Sequence, residues 1–217
     1  MTFMDRTDAG HQLAERLKGR IDRPAVVLAL PRGGVPVAVE VAEALDAPLE
    51  VMGVRKIGAP WQPELGLGAV AEGGGVYLDE HGLRQFGIRG EELADAIDEK
   101  RREVASSIAR YRGDRPLPDL KDLTVIVVDD GLATGVTARA AVRAVRNLGA
   151  QRVVLAIPVC SATGRDDLAQ EADDVVAVLT PERFAAVGQW YHNFDQVNDD
   201  EVLAALKRTG QVGASSR

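Results

Sequence analysis

Apolar, β-branched runs alternate along this chain with stretches whose apolar residues recur at helical spacing, the pattern of a parallel sheet covered on both faces. Ala25 to Leu30 predicts a buried strand, and after Gly33 and Gly34 an alanine- and valine-rich helix runs to Leu45. Leu49 to Val54 predicts a second strand. Ile57 to Gly75 is rich in Gly and Pro and predicts a long loop, with room for a short hairpin to Leu78. Glu91 to Arg112 holds strong helix formers and stops at Gly113, ahead of Pro116 and Pro118. Charges on most of its faces predict a solvated surface helix. Leu123 to Val128 is a third strand, Val136 to Leu148 a helix stopped by Gly149, Arg152 to Val159 a fourth strand and Val175 to Leu179 a shorter fifth. Thr7 or Asp8 is the expected cap of a first helix through Arg20. Glu201 to Lys207 is a terminal helix, and residues 210–217 read as a frayed tail. The fold class expected is α/β, a doubly wound, mostly parallel sheet in one domain.

Composition narrows the function. The 217 residues are 46% hydrophobic and 27% charged, the balance of a globular chain with a real core. No apolar run approaches the ~20 residues that span a bilayer, and Met1 to Arg20 lacks the apolar stretch of a signal peptide. The single cysteine, Cys160, forms no internal disulfide and follows an apolar strand, as a small buried hydrophobe would. The expectation is a soluble cytoplasmic protein. A net charge of −7 argues against nucleic acid or an anionic membrane as partner, but not against a small anion bound locally.

The segment Val125-Ile-Val-Val-Asp-Asp-Gly-Leu-Ala-Thr-Gly-Val-Thr137 is the most informative. An apolar strand ends in two carboxylates, and a short Thr-Gly-Val-Thr turn opens the next helix. Ligands of open α/β sheets bind at such strand ends, and helix N-termini offer free N–H groups to phosphate. Thr134 and Thr137 add hydroxyls, and Gly135 lets backbone come close. Asp129 and Asp130 are acceptors suited to the vicinal hydroxyls of a sugar. The chemistry is that of a ribose held by carboxylates with its 5′-phosphate in the turn beyond. A lone helix cap would explain neither the acidic pair nor both threonines.

This stretch resembles the 5-phosphoribosyl-1-pyrophosphate (PRPP) signature of type I phosphoribosyltransferases, in a form nearest to adenine-type members. Two further segments are similar to the family's. Leu28-Ala-Leu-Pro-Arg-Gly-Gly-Val-Pro looks like its pyrophosphate loop, with donors on Arg32 and an anion-cradling backbone at Gly33 and Gly34. By the same resemblance the Pro31–Arg32 peptide is expected to be cis. Arg55 and Lys56 resemble the basic pair that contacts pyrophosphate ahead of a flexible lid, here the segment Ile57 to Gly68. Trp61 in that lid would exclude water or pin it to the core. The pattern Arg-Lys-Ile-Gly-Ala-Pro with Trp-Tyr-His-Asn-Phe looks like a bacterial subgroup whose acceptor is unassigned.

The resemblance implies a core at about 25–180, a small hood built from the amino-terminal and 181–210 segments, and a homodimer. It implies Mg²⁺ as cofactor, with Asp129 and Asp130 as metal ligands and ribose holders. Arg55 and Lys56 would act with them in catalysis. Arg32, Gly33, Gly34, Ala133, Thr134, Gly135, Val136 and Thr137 would bind substrate, and a nitrogen heterocycle of purine type would accept the phosphoribosyl group as pyrophosphate leaves.

The chain also departs from the family. Ala133 stands where hypoxanthine-type members carry an aspartate proposed as general base, Gly131 replaces an apolar residue and so loosens the turn, and the lid's only charge is Glu64. Phe184, Trp190, Tyr191, His192 and Phe194 crowd together in a chain that is 4% aromatic. They supply stacking faces for a heterocycle, with Trp190 and Tyr191 the candidates, or a satellite core that ties the terminus down. The competing class is a non-catalytic PRPP or nucleotide sensor on the same fold. A dinucleotide-binding oxidoreductase fits poorly, since no Gly-x-Gly-x-x-Gly follows the first strand.

Overall fold

A computed structural model of the chain describes residues 2–59 and 61–209, without the side chains of residues 63 and 64. The charge expected from Glu64 and the tail at 210–217 lie outside the described residues. Five parallel strands make the main sheet: β1 (Ala25–Ala29), β2 (Leu49–Val51), β6 (Thr124–Val128), β7 (Arg152–Val159) and β8 (Asp174–Leu179), in the order β2-β1-β6-β7-β8. The order reverses at β1, so the carboxyl ends of β1 and β6 lie side by side where the crossovers diverge to opposite faces.

Side-chain alternation divides the core. Val27, Ala29, Ile126, Val128, Val154 and Ala156 face one way, onto α1 (Arg6–Leu17) and α2 (Gly34–Leu45). Val26, Leu28, Val125, Val127, Val153 and Leu155 face the other way, onto α5 (Val136–Asn147). The helix α1 starts earlier than expected. Asp5 is its N-cap, accepting from the Asp8 N–H at 2.9 Å, and the helix ends at Leu17 rather than Arg20. The last helix is α7 (Asp199–Arg208), closed at its start by a capping box between Asn198 and Glu201.

The expected loop from Ile57 to Gly75 is instead sheet. The strands β3 (Val54–Ala59), β4 (Gln62–Ala71) and β5 (Val76–Leu78) form a three-stranded antiparallel unit, so the second strand expected at Leu49 to Val54 is two strands in different sheets. Glycine in these strands serves close packing. A Cβ at Gly68 would lie 2.3 Å from the Tyr77 carbonyl oxygen. Trp61, at the β3–β4 turn, is exposed and edge-on to Phe86 of α3 (Glu80–Phe86), a helix the periodicity did not reveal. A second short helix that periodicity missed is α6 (Ala162–Leu168).

The charged helix is α4 (Ala94–Arg112), and it is not solvated all round. Val104, Ile108 and Tyr111 form a buried stripe against this small sheet, where Gly53 leaves the space a Cβ would share with Val104 at 2.8 Å. Arg112, almost wholly buried, pairs with Glu72. Among the described residues no helix is long and apolar enough to cross a membrane.

The amino terminus clasps the 184–194 segment. The Phe3 N–H donates to the Trp190 carbonyl at 2.7 Å, the His192 N–H to Phe3 at 2.8 Å, and the Asn193 N–H to Met4 at 2.9 Å. Phe3 and Tyr191 are buried beside Val159, with Phe184, Val187, Trp190 and Phe194 packed around them. This satellite core forms a hood over the carboxyl end of the main sheet.

Candidate functional site

The strand β6 runs out at Val128 because the next two residues are carboxylates, and Asp129 and Asp130 therefore emerge at the sheet's carboxyl edge. The chain bends through Gly131 to Gly135, which sits in the left-handed region at φ 74° and is the N-cap of α5. Among the described residues no side chain caps α5, so the N–H groups of its first turn are open to a ligand. Thr134 is exposed on the turn and Thr137 half-buried within the first helical turn. Gly131 does not loosen the bend. A Cβ there would lie 2.4 Å from Val187, so the missing side chain makes room for the hood.

The β1–α2 loop lies directly alongside. The Leu30 N–H donates to the Val128 carbonyl at 2.9 Å, and the Pro31–Arg32 peptide is cis, as expected. Gly33 has an ordinary right-handed φ of −61°, so its role is close approach rather than an unusual turn. A Cβ on Gly33 would fall 2.1 Å from Asp130 Oδ2, and one on Gly34 2.7 Å from the Val128 carbonyl oxygen.

These segments enclose a cavity of about 480 Å³. Arg32, Gly33, Lys56, Asp129 and Asp130 meet there with the Ala133–Thr134–Gly135 turn and Thr137, so residues from three separate parts of the chain converge. Gly34 and Val136 are buried behind the wall. Arg55 instead faces a neighbouring cavity of about 610 Å³, which shares Arg32, Lys56 and Thr137 with the first. Trp190 and Tyr191 line neither. Tyr191 is buried and its hydroxyl donates to the Asp130 carbonyl at 2.5 Å, so it braces the acidic pair from behind.

Sequence reasoning missed Arg6. Its Nε and Nη2 both lie 2.9 Å from Asp130 Oδ2, its Nη1 donates to the Asp195 carbonyl at 2.8 Å, and its guanidinium lies 3.9 Å from the centre of the Phe194 ring. Tyr191 packs on Phe194 with ring centres 4.8 Å apart. Phe194 thus reaches the cavity with Arg6 and Tyr191 already packed against its ring. Nothing local marks Arg6 as a site residue, because its partner is 124 positions away.

Electrostatics at the pair follow from burial. Desolvation pushes the Asp129 carboxyl well above its usual range and the Asp130 charge adds to this, while the Asp130 N–H, donating to Asp129 Oδ1 at 2.9 Å, opposes it. Asp130 is raised by burial too, with Arg6 the largest opposing influence. Two carboxylates this close favour a cation or donor hydroxyls between them. Among the described residues no group of three or more His, Cys, Asp or Glu could hold a metal alone. As hard oxygen donors, Asp129 and Asp130 would hold a magnesium ion.

The chain matches the family model described as the phosphoribosyl transferase domain over residues 7–201. Two Mycobacterium tuberculosis proteins, from strains CDC 1551 / Oshkosh and ATCC 25618 / H37Rv, bear the name "putative phosphoribosyl transferase". Each is 47% identical over 211 residues, covering 95% of this chain and 46% of the relative. The chain therefore spans about half the length of the curated relatives it matches. The crystal structure of TT1426 from Thermus thermophilus is similar with a TM-score of 0.80 at 43% identity, over 96% of this chain and 99% of that one. A purine phosphoribosyltransferase from Pyrococcus horikoshii shares the fold, with a TM-score of 0.50 at 20% identity over 91% and 96% of the two chains.

Proposed function

This chain belongs to the phosphoribosyl transferase family, and from that premise we propose that it transfers the 5-phosphoribosyl group of PRPP to a nitrogen heterocycle. The bond from C1 of the ribose to pyrophosphate breaks, a bond from C1 to the acceptor nitrogen forms, and the acceptor's proton is released. One observation supports this above the others: the acidic pair at the end of β6 and the uncapped start of α5 share a cavity with Arg32 and Gly33.

In this reading the Thr134–Thr137 turn anchors the 5′-phosphate and fixes the sugar's orientation. Asp129 and Asp130 accept from its hydroxyls. Arg32, Arg55 and Lys56 neutralise the departing pyrophosphate, with charge developing where donors already stand. Bound magnesium, held by Asp129 and Asp130, would neutralise phosphate charge. Val187 and Val197, apolar walls on the hood side of the cavity, suit the flat body of a purine-like acceptor.

Ala133 presents only a methyl group at the rim, so no side chain at that position takes the acceptor's proton. That favours a second reading, a PRPP or nucleotide sensor that binds without turnover. A pyrophosphate-release screen with PRPP and Mg²⁺ across purines, pyrimidines and related heterocycles separates the two. Release with one or more acceptors, abolished in the Asp129→Asn, Asp130→Asn variant, is the expected result. Tight PRPP binding with no release selects the sensor, and absence of PRPP binding in calorimetry rejects both.

A further inference from the structure

The larger cavity has an outer half that the transferase reading leaves unassigned. Its inner end is Arg32 and Lys56, shared with the ribose cavity; its outer wall is α4, through Ser106, Ser107, Arg110 and Tyr111. Four cations line it against two carboxylates, Glu103 and Asp199. Arg55 is held towards α4 by Ser107, whose Oγ accepts from it.

Asp199, the first residue of α7, sits where three donors converge, two from α4 and one from the β1–α2 loop. The Tyr111 hydroxyl donates to Oδ1 at 2.6 Å, Arg110 pairs with Oδ2, and an Arg32 nitrogen lies 3.9 Å from Oδ1. Tyr111 is itself only 4% exposed, so its hydroxyl is a fixed donor aimed at this spot. The helix does not need the contact to stay docked. Val202 and Leu206 are fully buried, Arg208 pairs with Glu40 and Glu43 at the far end, and the Asn198–Glu201 capping box closes the near end.

We propose that the Asp199 carboxylate is an internal stand-in for a phosphate group, and that Arg110 and Tyr111 are binding residues of the pyrophosphate moiety that replaces it. The proposal rests on the transferase reading for the ligand's identity. A phosphate group entering the outer half takes the three donors, and the Asp199 side chain turns out to solvent with α7 in place. The resting carboxylate lowers apparent affinity by the fraction of molecules in which it holds the donors, which favours release of product over its retention.

Calorimetry of the full chain with magnesium pyrophosphate tests this. Asp199→Asn, which removes the competing charge, should bind about two- to five-fold tighter, the range for one partly exposed ion pair. Arg110→Gln should bind roughly ten-fold or more weakly, as for loss of a hydrogen bond to a charged group. Tyr111→Phe, introduced into Asp199→Asn, keeps the buried ring and should cancel most of the gain. If Asp199 merely tethers α7 to α4, Asp199→Asn and Arg110→Gln would lower thermal stability alike with pyrophosphate affinity unchanged, and the proposal falls. A wild-type chain that binds neither PRPP nor pyrophosphate overturns the transferase reading and this inference with it. Wild-type binding that Asp199→Asn leaves unaltered overturns this inference alone.

Discussion

Removing Arg6 tests whether the amino-terminal helix belongs to the site or merely covers it. Its guanidinium directs two N–H groups at one oxygen of Asp130, both at 2.9 Å, in a pair whose side chains are 11% and 15% exposed. Deleting one partner of a buried ion pair costs ~3–5 kcal/mol, because the other charge is left without compensation. The remaining exposure and the ability of Asp130 to take up a proton reduce this, so Arg6→Ala should cost about 2–3 kcal/mol. For a chain of this size that is a fall in Tm of roughly 5–10 °C. Arg6→Lys keeps the charge but loses the fork and the stack on Phe194, and should recover less than half. The decisive measurement is a double-mutant cycle with Asp130→Asn in denaturant unfolding, where a coupling of about 1.5–2 kcal/mol is expected. A coupling below ~0.5 kcal/mol would refute the pairing as an energetic link between α1 and the acidic pair.

Two other variants probe separate parts of the molecule. Thr134→Ala with Thr137→Ala should weaken PRPP binding by ~1–3 kcal/mol, since two donors to a charged group vanish; unchanged affinity in calorimetry would remove the turn from the phosphate site. Glu171 accepts from Arg139 at 2.8 Å and from Arg143 at 2.8 and 3.3 Å. Burial raises its pKa, but the hydrogen bonds from Arg143 and Arg139 outweigh this and hold the carboxyl below its usual range. A depressed folded pKa contributes stability that is present above the unfolded value, ~4.3, and lost as pH falls through the folded one. Glu171→Gln should therefore be less stable at pH 7 by about 1 kcal/mol, after allowance for solvent screening, and the gap should close below pH ~4; a gap that persists into acid would show the loss to be packing rather than charge.

The parallel strands and the turn that opens α5 were legible because their signals are local. Four apolar residues followed by two aspartates mark the end of β6 whatever surrounds them, and Gly135 with two threonines marks the turn. The small sheet was hidden by its own glycines. Gly58, Gly66 and Gly68 break the alternation of a strand, and nothing in the residue pattern signals that β4 needs Gly68 to let β5 lie close. The seven-residue helices α3 and α6 are too short to show a period. The buried apolar residues of α4, Val104, Ile108 and Tyr111, are three among nineteen, and the small sheet they cover had itself read as loop. Thr7 and Asp8 drew the cap too far along, since Asp5 caps equally well and precedes the residue that reaches Asp130.

The aromatic cluster shows why site residues on a hood resist sequence reasoning more than those on a sheet. Trp190 and Tyr191 looked like stacking faces from composition, but composition cannot say which side of a ring another ring already covers. Tyr191 fixes the Asp130 backbone through its hydroxyl, and Arg6 fixes the Asp130 carboxylate, so the two halves of the hood are bonded to the same residue of the acidic pair. In the proposed reading, an acceptor resting on Val187 and Val197 would be registered against the ribose by that double attachment. Phe194 helps by holding the Arg6 guanidinium over its ring, 3.9 Å from the ring centre. The same arrangement explains how the site tolerates glycine at position 131. The hood supplies Val187 to the space that an apolar side chain there would occupy, which makes the turn ahead of α5 and the hood side of the cavity parts of one packed unit.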